Sequence, residues 1–153
     1  MKSIDHISNT KWMKGVTLLE LIVAVAVIAV LASMAVPAFN NQTKNARLSS
    51  NASMLASAYD LARSEAVNRG VQVKVEAITN GWAVVEVASA ELIREFKPDG
   101  KDLTWSSAIP EVTYNPTGFR TFGSPETVVT ITDDRGVSRV ITISTAGSTK
   151  VEK

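Results

Sequence analysis

Apolar positions change rhythm twice along this chain. Residues 16–36 read VTLLELIVAVAVIAVLASMAV, where only Thr17, Glu20 and Ser33 are not hydrophobic. Further on, Leu48, Ala52, Leu55, Tyr59, Ala62 and Ala66 follow a 4-3-4-3-4 spacing, the single stripe of a helix packed on a core. From Val71 the period drops to two: Val71, Val73 and Val75 alternate with Gln72, Lys74 and Glu76, as in a half-buried strand. Gly70, with Arg69 before it, marks the change and reads as a helix stop. One long helix over about 16–69, roughly 80 Å, is therefore predicted, with Pro37 bending or locally interrupting it.

The remainder reads as strands. Asn80-Gly81 is a two-residue hairpin signal leading into 82–87, and further strands are predicted at 91–96, 111–115, 127–132 and 138–144. Pro98-Asp99-Gly100, Asn115-Pro116-Thr117-Gly118 and Asp133-Asp134-Arg135-Gly136 supply the turns between them. The fold class is α+β: a long N-terminal helix whose C-terminal half packs on a small antiparallel β-sheet.

Length decides what the first rhythm means. Twenty-one residues at 1.5 Å span about 30 Å, the thickness of a bilayer's hydrocarbon core. The rest of a 153-residue chain is too small to wrap such a helix on every side. A transmembrane segment is expected. Lys2, Lys11 and Lys14 against Asp5 precede it, which keeps the N-terminus cytoplasmic and sends everything after residue 36 across the membrane. A secretory signal peptide cut near Ser33-Met34-Ala35 and a plain signal anchor are the alternatives. The run is long for the first, and neither gives Glu20 a purpose. An acidic residue within a span is a functional-site hypothesis in its own right.

Composition mainly excludes. With no Cys, a disulfide framework, a thiolate zinc site and a Cys nucleophile are absent. The one His, His6, lies before the span. Sixteen basic and 15 acidic residues leave net +1, no sign of a whole-protein field for nucleic acid. There is no P-loop, no GxGxxG and no HExxH. Asp99, Asp102, Asp133 and Asp134 lack the spacing of a calcium loop and read as turn residues. Trp82, Phe96, Trp105, Tyr114, Phe119 and Phe122 read as aromatic core rather than base-stacking surface. Arg63, Glu65 and Arg69 read as a solvated helix face with Glu65–Arg69 as an i,i+4 pair. No active site, metal or cofactor is expected.

Lys14-Gly15 followed by Val16-Thr17-Leu18-Leu19-Glu20-Leu21 resembles the prepilin signature of type IV pilins and type II secretion pseudopilins. The resemblance implies cleavage after Gly15 by a prepilin peptidase, N-methylation of the new amine on Val16, and an assembly role for Glu20. Pro37 sits where pilins place a helix-kinking proline. Val16 departs from the usual Phe. Ala62-Arg63-Ser64-Glu65-Ala66-Val67-Asn68-Arg69-Gly70 resembles the signature of FimT/GspH-type minor pilins and pseudopilins. Tyr114-Asn115-Pro116-Thr117-Gly118 and Asp134-Arg135-Gly136 are similar to that family's later turns. The cysteines of many members are missing, and so is the basic ending of DNA-binding members. Gly147-Ser148-Thr149-Lys150 stands at that place.

These resemblances imply a leader over 1–15, a transmembrane and filament-core half-helix over 16–36, an amphipathic half-helix over 37–70 and a sheet domain over 71–153. The implied protein is a non-enzymatic minor pilin placed near the tip of a type IV pilus, priming assembly and serving twitching, adhesion or DNA uptake. An H-type pseudopilin of type II secretion is the neighbouring reading. A DNA-binding receptor pilin using Arg135, Arg139, Lys150 and Lys153 is a reading of another class. Implied partners are the prepilin peptidase, other pilins or pseudopilins and the bacterial inner membrane before assembly, with DNA only in the receptor reading. The sheet domain would be periplasmic, then carried into the pilus or pseudopilus.

Overall fold

The computed structural model describes residues 16–100, 103–106, 109–121 and 126–153. The leader with Gly15, and Asp102 and Phe122, lie outside the described residues. Helix α1 runs Leu18–Arg69 with Pro37 inside it. The chain divides between Asn40 and Asn41 into two compact units.

In the first unit the helix has no buried residue, and Leu18, Ile22, Val25, Ile28, Leu31 and Met34 are all exposed. Its most apolar 18-residue window has a mean hydropathy of 2.7, long and apolar enough to cross a membrane. Pro37 removes one backbone donor, yet the helix continues through it.

The second unit holds the core. Leu48, Ala52, Leu55, Tyr59, Ala62 and Ala66, the stripe read from the sequence, are fully buried, and Ala58 joins them. Eight strands follow: β1 Val73–Ile78, β2 Gly81–Glu86, β3 Leu92–Phe96, β4 Leu103–Trp105, β5 Val112–Tyr114, β6 Thr127–Asp133, β7 Ser138–Ile143 and β8 Thr149–Glu152, and the helix stripe shares its core with residues of β1 to β7. Instead of the single sheet expected, the strands form two four-stranded antiparallel sheets, ordered β3-β2-β1-β5 and β4-β6-β7-β8. The two strands missing from the sequence reading are β4 and β8. Leu-Thr-Trp alternates over only three residues, too few to mark a strand, and Thr-Lys-Val-Glu has a single apolar residue.

Alternation fixes the inner faces. Val73 and Val75 on β1, Trp82 and Val84 on β2, Val129 and Ile131 on β6, and Ile141 and Ile143 on β7 are buried. Register slips between Val84 and Val85, where β2 meets β3. Trp82 stacks on Phe96 at 6.4 Å between ring centres and meets Trp105 edge-on at 5.5 Å, so one indole joins aromatic residues of both sheets. Phe119, expected in the core, is instead 53 % exposed. The neighbouring Arg120 takes the inward place, bridging to Tyr114.

Candidate functional site

The start of α1 is built by Thr17. Its Oγ1 accepts a hydrogen bond from the Glu20 N–H at 3.2 Å, and its carbonyl accepts the first helical bond from Leu21. Thr17-Leu18-Leu19-Glu20 is thus a capping-box sequence with Thr17 as the N-cap and Glu20 at the third helical position. An acid there also suits the positive end of the helix dipole. Sequence reasoning missed this local role, although T-x-x-E was in plain view. Ser33 turns its hydroxyl back onto the Val30 carbonyl at 2.7 Å, so the remaining polar side chain of the run is satisfied within the helix.

The motif at 62–70 divides by face. Ala62 and Ala66 face the core, small enough for the sheets to approach closely. Arg69 Nε pairs with Glu65 at 2.7 Å, and its Nη1 reaches Glu91 at 3.3 Å and Glu86 at 4.0 Å. The pair expected from i,i+4 spacing is therefore one part of a tie to the β2–β3 connection. Gly70, at φ +68°, ends the helix. The Val71 N–H returns to the Ala66 carbonyl, a Schellman closure.

Arg63 and Val67 lie under the Asn115–Gly118 turn. Asn115 Oδ1 accepts from the N–H groups of Thr117 and Phe119, each at 3.0 Å. Gly118 then sits at φ +80°, where an added Cβ would stand 2.9 Å from Val67 Cγ2 and 3.5 Å from Arg63 Nε. The two landmarks singled out in the sequence thus touch each other. A third glycine closes the group: a Cβ on Gly147 would fall 2.8 Å from the Tyr114 ring. Beneath them Arg120, nearly buried, donates to the Ile143 carbonyl at 3.2 Å, the Ser144 carbonyl at 3.4 Å and Thr127 Oγ1 at 2.9 Å. It joins the segment after β5 to the β6–β7 sheet, and no sequence signal had marked it.

Burial pushes the Tyr114 hydroxyl up to about 12, with the Arg120 charge opposing. Tyr59, whose hydroxyl donates to the Pro110 carbonyl at 3.1 Å, is likewise raised, by burial first and then by Tyr114.

The Asp134-Arg135-Gly136 turn grips the helix. Arg135 donates to the Asn41 carbonyl and Oδ1, both at 3.1 Å, and to Asn45 Oδ1 at 2.6 Å, while Lys44 pairs with Asp134. Asp133 holds Arg135 and accepts from the N–H groups of Arg135 and Val137 at 2.9 Å. Burial alone would raise its carboxyl, but these bonds hold it below its usual value.

The other candidates are scattered. Arg139 on β7 shares the face of Ile141, whereas Lys150 opposite Thr142 lies on the other face. Lys150 pairs with Glu152 at 2.6 Å, and Lys153 follows the last strand. Arg135, Arg139 and Lys150 are thus not gathered on one face. Asp99 pairs with Arg47 at 3.7 Å. Among the described residues no three His, Cys, Asp or Glu side chains stand close enough together to hold a metal ion.

Comparison with known proteins agrees with this anatomy. The family described as "Type II transport protein GspH" matches residues 51–147, and the "Prokaryotic N-terminal methylation motif" matches residues 13–36. Comparison with curated proteins gives no match. Among solved structures, the type IV minor pilin FimU of Pseudomonas aeruginosa is similar at 24% identity and TM-score 0.62, covering 72% of this chain and 92% of that one. A second crystal form of FimU gives 26% identity and TM-score 0.58, over 69% and 93% of the two chains. The minor pseudopilin EpsH from the Type 2 Secretion System of Vibrio cholerae shares the fold at 12% identity and TM-score 0.51, over 69% of this chain and 96% of that one. The chain belongs to the GspH family within the type IV pilin and pseudopilin superfamily, whose members are structural subunits rather than enzymes.

Proposed function

We propose that the protein is a structural minor pilin that enters a type IV pilus near its tip and helps to prime assembly, serving twitching, adhesion or DNA uptake. A prepilin peptidase cuts after Gly15, and the Val16 amine is methylated. Before assembly the first part of α1 spans the bacterial inner membrane, with the sheet domain on the periplasmic side. The observation that carries this reading is the stretch from Leu18 to Pro37. It is apolar, wholly exposed and interrupted near its start by one carboxylate, that of Glu20, whose backbone N–H donates to Thr17 Oγ1.

Such a surface needs lipid or other helices around it. Cleavage would place a cationic amine on Val16, four residues before Glu20 and one before the Thr17 cap. In a bundle of helices a lone amine and a lone carboxylate are each costly, and far less so as a pair. A subunit whose Val16 amine meets a neighbour's Glu20 has a reason to leave the bilayer in one register.

The test separates charge from capping. Glu20→Gln retains a side chain that suits the capping box but removes the charge, and Glu20→Leu removes both. Both variants are expected to stay in the membrane fraction and to be lost from sheared filaments. Normal recovery of Glu20→Gln in filaments sinks the pairing. Intact mass of the membrane-extracted protein is expected to begin at Val16 with one added methyl. A mass beginning at Met1 or Val36 overturns the processing.

The matching family's description supports a second reading, an H-type pseudopilin of type II secretion. The 26% identity to a type IV minor pilin supports the first. Recovery from sheared surface pili favours the pilus, while a secretion defect on deletion with intact pili favours the pseudopilus.

A further inference from the structure

The outer face of the β1–β2–β3 sheet is shaped as a trough. Its middle strand turns only small groups outward, Ala83 and Val85, while longer side chains rise from the strands on either side. Glu76 and Glu95 stand opposite each other across Ala83, and Lys74 and Leu92 across Val85. Ala83 is sunk to 3 % exposure, whereas Leu92 at one end is 57 % exposed. The resulting groove measures about 460 Å³, and the charged groups lining it are Glu76, Glu86 and Glu95 against Lys74 alone. Each rim carboxylate already has a cation beside it: Lys74 lies 2.6 Å from Glu76 and 3.6 Å from Glu111, Lys97 3.4 Å from Glu95 and Arg69 4.0 Å from Glu86. Four carboxylates thus share three cations, of which Arg69 also serves Glu65 and Glu91, so a small acidic excess remains above the sunken Ala83 and Val85.

Width selects the shape of an occupant. The backbones of β1 and β3 are two strand spacings apart, about 10 Å, and the standing side chains narrow the opening further. A helix with its side chains is about 10–12 Å across and does not fit between them, but an extended segment does. The trough is also open at one side, since β3 is the edge of its sheet.

We propose that this trough docks an extended, basic and apolar segment of a neighbouring pilin or pseudopilin subunit. A lysine or arginine of that segment enters between Glu76 and Glu95, and an apolar neighbour covers Leu92. A cation there meets two carboxylates at once, and the apolar contact removes the most exposed large side chain of the face from water. The proposal rests on the filament-subunit reading given above.

A photo-crosslinking residue placed at Leu92 of the full-length chain, in cells assembling the filament, tests it. Val128, exposed on the other sheet, is the control position. The expected result is an adduct from position 92, absent from position 128, that maps to a peptide of another pilin or pseudopilin with Lys or Arg beside an apolar residue. Its yield is expected to fall about tenfold in Glu76→Lys/Glu95→Lys and severalfold in Glu76→Gln/Glu95→Gln. The Gln pair keeps side-chain shape, so it reads the charge effect alone if the Lys pair fails to accumulate.

No adduct, an adduct with a second copy of this chain, an adduct with an acidic segment or a non-pilin protein, or a yield indifferent to charge overturns the trough. Recovery of the chain in sheared filaments is scored in the same cells. Filament entry without the adduct refutes the trough and leaves the filament reading standing, and failure to enter filaments refutes that reading separately.

Discussion

Arg120 keeps a guanidinium inside an apolar domain, where its fork satisfies two carbonyls and a hydroxyl left at the start of β6 and the end of β7. Arg120→Ala removes a nearly buried guanidinium and its bonds to one buried and two part-buried acceptors, and is expected to cost about 2–4 kcal/mol. Arg120→Lys restores a charge but no planar fork and recovers little; thermal melts of the three proteins check both. Gly118 is constrained by conformation and by space together, with φ at +80° and Val67 in the way of a Cβ. Gly118→Ala is expected to cost about 2–3 kcal/mol and to lower Tm by several degrees. Tyr114 offers a pH reading. Its native pKa, raised to about 12, lies above the ordinary value near 10. The neutral hydroxyl therefore contributes stability in full below about pH 10, and that contribution is lost as pH rises toward 12. Phenolate absorbance should appear only together with loss of near-UV dichroism, whereas exposed tyrosines would ionise first.

At the scale of elements, the amphipathic part of α1 begins poorly. Asn40-Asn41-Gln42-Thr43-Lys44-Asn45 contains few good helix formers, and the Asp133–Arg135 turn supplies contacts that propensity does not. Arg135→Ala is expected to raise amide exchange over residues 41–47 while leaving 55–66 unchanged, as hydrogen-exchange mass spectrometry can resolve. Acid should do the same reversibly. The Asp133 carboxyl is held below its usual value, so its contribution is present above about pH 4 and fades as pH falls through the lowered native value. Asp133→Asn should flatten that dependence. The helix stripe and the longer strands were legible in the sequence because burial imposes a period on hydrophobic residues. β4 and β8 were not, because edge strands of three and four residues take their pairing from a neighbour and impose no period of their own. Phe119 was misread for a related reason: composition places an aromatic residue in the core, but strand parity gave the inward position to Arg120.

For the whole molecule, the division between Asn40 and Asn41 leaves every buried core residue among the described residues on the C-terminal side. A chain beginning at Asn41 is expected to fold cooperatively and remain monomeric in water, while the full-length protein requires detergent; sedimentation and thermal melts distinguish these outcomes. The sequence landmarks at 62–70, 114–118 and 134–136 were recognisable as family signatures, but their physical meaning was not. They are far apart in the chain, and only the fold shows that the first two pack together and that the third anchors residues 41–45 of the same helix. The trough on the β1–β3 face stayed invisible for the same reason, since it depends on which residues stand opposite one another. One consequence follows from the first hydrogen bonds of α1. Because Thr17 supplies the cap itself, the instruction to start the helix lies downstream of the proposed scissile bond. Cutting there would leave the helix start intact, with Val16 outside the first turn. Discarding the leader would then be a trimming event that requires no refolding.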